Sequence, residues 1–83
     1  MQKVEQFHVK NQFVIKTDKG VYFQSYNSMI VFIPNDGSKI QLDKYYWDYS
    51  KTTGRYRNLF LNKNKKEIER KIANGEYVLT DLN

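Results

Sequence analysis

The chain has 83 residues, enough for one domain with one small core. It contains no cysteine, which excludes a disulfide framework, a thiolate nucleophile and any Cys-ligated zinc or iron–sulfur site, and suits a reducing cytoplasm. With 40% apolar and 28% charged residues the chain is too apolar for disorder and too interrupted for a membrane span, and 14 Lys and Arg against nine acids leave a net charge of +5.

The opening MQKVEQFHVKNQ has no apolar stretch, so no signal peptide is expected. Residues 1–43 read as a β-meander. Runs of strand formers, Phe7-His8-Val9, Phe13-Val14-Ile15, Val21-Tyr22-Phe23, MIVFI at 29–33 and KIQL at 39–42, alternate with turn residues. TDKG at 17–20 and PNDG at 34–37 each place a glycine able to take positive φ beside Asp or Asn, and predict hairpin loops. Residues 29–33 are apolar on both parities, the mark of a central strand, whereas Val21 and Phe23 alternate with Tyr22 and Gln24. Residues 10–12 read equally as a turn or as a bulge in one long strand. His8 is the single histidine, and its strand-like setting offers no partner for catalysis or metal binding.

YYWDY at 45–49 puts four large rings in five positions. If extended, Tyr45, Trp47 and Tyr49 share a face and Tyr46 and Asp48 take the other. A bulge or turn at 43–44 is then needed for this set and for Ile40 and Leu42 to reach one core. The rings either fill that core or form a stacking platform for unpaired bases, with Trp47 open to both readings and Tyr46 the candidate for stacking.

Beyond them the period becomes helical. Ser50 is an N-cap for a helix in which Tyr49, Tyr56, Leu59 and Phe60 recur on one side, while Lys51, Arg55, Asn58 and Asn62 form a polar stripe. Gly54 inside this helix costs roughly 1 kcal/mol relative to Ala, so the helix needs tertiary support. Asn64 to Glu67 resembles a capping box, Ile68 and Ile72 make an apolar i,i+4 pair, Glu67 and Lys71 an ionic one, and Gly75 stops a second helix. EYVLT at 76–80 reads as a last strand returning to the sheet. The expected fold is α+β, one domain over residues 1–83, with an antiparallel sheet of four to five strands, two short helices in the C-terminal half and a terminal strand.

The charge is uneven. Residues 1–43 carry a net +1, residues 44–83 a net +4, and residues 50–71 alone hold eight basic side chains against Glu67 and Glu69. Lys51, Arg55, Arg57 and Asn58, extended by Lys65, Lys66 and Arg70, are residue types that contact phosphates and base edges. A solvated face accounts for the same pattern. Catalysis finds no support: Ser50, Thr52 and Thr53 have no adjacent base, Asp18, Asp36 and Asp48 stand beside turns or aromatics and not in the carboxylate arrangement that general acid–base work or Mg²⁺ binding requires, and no phosphate-binding loop occurs. No cofactor, metal or enzymatic activity is expected.

The segments KYYWDYSKTTGRYRNLFL at 44–61 and KKEIERKIANGEYVLTDL at 65–82 resemble a family of small uncharacterised proteins from phages of Gram-positive bacteria, over about half the chain. The resemblance implies a viral accessory protein acting in the host cytoplasm and assigns no functional residue. The leading expectation is a non-enzymatic protein that binds nucleic acid or a nucleoprotein through Lys51, Arg55, Arg57, Asn58, Lys65, Lys66 and Arg70, with Tyr46 stacking. The rival is an inhibitor docking on a host enzyme or defence complex with exposed Tyr and Arg as anchors. Self-association through a sheet edge is a third expectation.

Overall fold

A computed structural model describes residues 2–83. The elements run β1 (Lys3–Gln6), β2 (Gln12–Lys16), β3 (Gly20–Ser25), β4 (Ser28–Pro34), β5 (Ile40–Asp43), α1 (Lys51–Leu61), α2 (Lys65–Ala73) and β6 (Tyr77–Thr80), an α+β arrangement. Strand order in the sheet follows chain order, with β1 to β5 antiparallel and β6 parallel to β5.

The sheet thus has six strands rather than four or five, and its last pairing is parallel. Both differences have a physical cause. β1 carries Lys3, Val4, Glu5 and Gln6, all exposed, so this edge strand has no hydrophobic signal to read. The apolar Phe7-His8-Val9 that was expected to be a strand forms the turn after it. His8 and Asn11 take φ of 65° and 71°, and the Phe7 amide donates to the Gln12 carbonyl at 2.7 Å, so the chain turns over residues 8–11 and Gln12 opens β2, with no bulge in one long strand. At the other end α1 and α2 form the crossover between β5 and β6, and a crossover of that length permits a parallel pair.

The loops confirm Gly37 at φ 82° but not the role given to Gly20, which starts β3 without positive φ. There a Cβ would collide with the Ile33 carbonyl oxygen and approach the Phe32 ring to 2.7 Å, so close strand packing is what requires glycine. β4 is interior, as its double-sided apolarity predicted. Its pairing to β3 slips at Phe23/Gln24, leaving Ile30 between the paired Met29 and Val31, and Ile30 and Val31 are both buried.

Phe23, Ile30, Val31, Leu42 and Tyr77 from the sheet and Leu61 and Ile68 from the helices form the core. Phe7, Phe23 and Phe60 meet edge-on or stacked at centroid distances of 5.5–5.9 Å, which fixes α1 over β3. Ser50 caps α1 by accepting from the Thr53 amide, Asn62 ends it in the left-handed region, and Asn64 caps α2 by accepting from the Glu67 amide. Gly75 follows α2 at φ 83°. Lys71 bonds Glu76 at 2.7 Å, not Glu67 as expected, so the charge pair staples the end of α2 to the start of β6. Among the described residues no helix is long and apolar enough to cross a membrane.

Candidate nucleic-acid interface

The site is built around the segment between β5 and α1. Residues 44–48 are not extended. Asp43 ends β5 fully buried, and its Oδ2 accepts from the Tyr45 and Tyr46 amides while its Oδ1 accepts from the Leu82 amide. The Trp47 amide adds a bond to the Asp43 carbonyl and the Tyr49 amide one to that of Tyr46. This tight turn splits the rings. Trp47 and Tyr46 pack against the core, whereas Tyr45 and Tyr49 stand 68% and 69% exposed. The expected common face of Tyr45, Trp47 and Tyr49 is therefore absent, because the chain coils where an extended run was assumed.

Arg57 departs from the outward cations with which the sequence groups it, for it is 1% exposed. Its Nη1 donates to the Trp47 carbonyl at 2.8 Å and to Asp48 Oδ1 at 3.0 Å, its Nε and Nη2 donate to Asn58 Oδ1, and its guanidinium lies 5.2 Å from the Trp47 ring centroid. Arg57 and Asn58 thus hold the aromatic turn onto α1. Gly54 leaves room for them, since a Cβ there would come within 3.3 Å of Arg57 Nη2. Asp48 also binds Lys65 at 2.8 Å and so links the turn to both helices. Burial alone would raise the Asp48 carboxyl, but the hydrogen bonds and charges of Lys65 and Arg57 outweigh it and hold it below its usual range. The bond to Asp48 raises the Lys65 ammonium in turn.

What remains outward is a track along α1. A depression of about 570 Å³ is lined by Asp48, Ser50, Lys51, Gly54, Arg55, Arg57, Asn58 and Lys65, placing four cationic side chains around one carboxylate. Arg55 and Asn58 also line a second depression that continues to Asn62, Lys63 and Glu67. Arg55 lies over the Tyr56 ring at 5.7 Å, which supports it without an ion pair. At the N-terminal end of α1, Ser50 is shared with a cleft of about 610 Å³ walled by Tyr26, Tyr46 and Tyr49. Lys51 and Arg55 are exposed and Lys65 half tied to Asp48, whereas Lys66 and Arg70 are exposed on α2 outside these depressions.

Sequence reasoning did not single out Tyr26, although SYNS at 25–28 between two apolar runs marks a two-residue hairpin turn. Nor did it find the tie between Ser25 and Thr53 hydroxyls, 2.9 Å apart and buried, which joins β3 to the first turn of α1. No cluster of three His, Cys, Asp or Glu among the described residues could hold a metal.

No curated protein and no solved structure matches the chain. A protein-family model does: residues 1–75 match the family of unknown function DUF8033, and the chain belongs to that family.

Proposed function

We propose that the protein binds single-stranded nucleic acid along the outer side of α1, with Lys51, Arg55 and Lys65 on the phosphates, and performs no catalysis. The observation that carries this reading is the continuity of the three depressions: cationic side chains line one, and the neighbouring cleft, joined to it at Ser50, is walled by tyrosines. A helix of 11 residues is about 16 Å long, room for a short stretch of backbone. Asp48 does not cancel the field, because Arg57 alone balances its charge and the Lys65 ammonium beside the same carboxylate leaves a net +1. Lys66 and Arg70 extend the positive potential and steer association without contacting the track. An accessory role of phage type in a host cytoplasm belongs to the same proposal.

Three phosphate contacts on a single strand give a log–log salt slope of about −2. Titration of a labelled 12-nucleotide strand between low and physiological salt reads it directly. Lys51→Ala with Arg55→Ala reduces the slope to about −0.7 and weakens binding alike for every sequence. A flat salt response of the unaltered protein, or an unchanged slope in the double variant, overturns the assignment.

A further inference from the structure

We infer that the cleft at the N-terminal end of α1 is a slot for one unpaired nucleobase, gripped between Tyr26 and Tyr49, so that the protein discriminates bases from bare phosphate chain. This deepens the reading above and rests on it. The cleft is lined by Ser25, Tyr26, Asn27, Ser28, Ile30, Tyr46, Tyr49, Ser50, Thr52 and Thr53, and its volume of about 610 Å³ lies within the range of small-ligand sites.

Its two parts differ in chemistry. The floor is closed: Ser25 and Thr53 are 3% and 1% exposed, their hydroxyls bond each other, and Ser50 donates to Thr53 Oγ1 while accepting from the Thr53 amide. These groups are satisfied internally and give the cleft a rigid base. The rim supplies rings and edges. Tyr26 and Tyr49 are 50% and 69% exposed, Tyr46 braces Tyr49 edge-on at 5.5 Å, and Asn27, Ser28 and Thr52 offer an amide and hydroxyls of the types that read base edges.

Tyr26 occupies the turn between β3 and β4 at φ 55°, a conformation that a bulky residue adopts at a cost and that glycine or asparagine fills freely. Nothing in the core explains a tyrosine there. It is half exposed in a strained turn and lines the same cleft as Tyr49, which suits a contact made with a ligand rather than with the fold. A sugar would also suit rings and hydroxyls. The cationic depression meeting the cleft at Ser50 favours a base whose phosphates lie toward Lys51 and Arg55.

The probes are a 12-nucleotide deoxyadenosine strand and an abasic strand of equal length and charge, titrated against the unaltered protein and against Tyr26→Gly with Tyr49→Ala. Glycine suits the positive φ, so this variant keeps its turn, and circular dichroism verifies that it is folded. The base-bearing strand binds about five- to 150-fold tighter than the abasic one, the range of one stacked base, and the tyrosine variant loses that ratio while keeping the salt slope. Equal binding of the two strands by the unaltered protein overturns the slot and leaves phosphate binding standing. A ratio that survives in the variant overturns the slot as placed here. Failure of both strands to bind overturns the phosphate reading and the slot with it.

Discussion

A guanidinium that is 1% exposed must have its donors answered, and Arg57 spends its own on the Trp47 carbonyl, Asp48 and Asn58. Truncating it leaves those acceptors unmatched and opens space under Trp47. Arg57→Ala therefore lowers unfolding stability by about 2–4 kcal/mol, discounted from a fully buried pair because Asp48 is one-third exposed. Arg57→Lys restores little, since one ammonium cannot span the fork between Asp48 and Asn58. Urea unfolding of both variants checks this, and a lysine variant as stable as the original would mean that the fork does not hold the turn. The sequence misplaced Arg57 for a clear reason. The spacing that set Lys51, Arg55 and Asn58 on one stripe treated every cation as outward, and only the position of Trp47 ten residues earlier shows why this one turns in.

The turn between β5 and α1 is organised by the Asp43 carboxylate, buried and bound by three backbone amides. Burial opposes its charge, but the amides of Leu82, Tyr46 and Tyr45 and the Asn83 side chain more than compensate, and its pKa falls below the usual carboxylate value. A depressed folded-state pKa means stability that is present above the unfolded value and lost as pH falls through the folded one. Asp43→Asn removes one acceptor oxygen and the charge, so it destabilises at neutral pH by on the order of 3 kcal/mol, and the part of that loss owed to the charge fades as pH falls through the folded-state pKa. Stability curves for both proteins from pH 7 down to pH 3 should converge, and parallel curves would show that the carboxylate carries no such linkage. At this scale the sequence was legible where pattern and packing coincide: both helices, their caps and the central β4 follow from apolar spacing and from Ser50 and Asn64. It was silent on β1, which buries nothing, and misleading at residues 45–49, where rings typical of a strand sit in a turn imposed by hydrogen bonds to Asp43.

Across the molecule, α1 and α2 carry the core to one side of the sheet, and the same pair presents the charge track outward. The chain closes this arrangement at its far end. The Asn83 side chain accepts from the Met29 amide at 2.8 Å and donates to the Met29 carbonyl at 3.0 Å, filling a stretch of β4 that β5 does not reach, since β5 pairs only with Val31 and Phe32. This contact spans 54 residues and sits next to the Leu82 amide bound to Asp43, so the tail fastens β4 and the aromatic turn together. Local patterning could not reveal it, because a terminal asparagine following Asp81 and Leu82 gives no periodic signal. The Ser28–Pro34 strand begins beside the Tyr26 turn, and loosening its first residues would therefore also loosen one wall of the cleft. Asn83→Ala costs on the order of 1–2 kcal/mol of stability, as expected for two exposed hydrogen bonds to Met29 and the one that the same side chain gives Asp43. Its sharper effect is local: amide hydrogen exchange at Met29 accelerates while that of Ile68 in the core follows only the small global loss. Equal protection of Met29 in the two proteins would mean that the tail does not clasp β4 in solution.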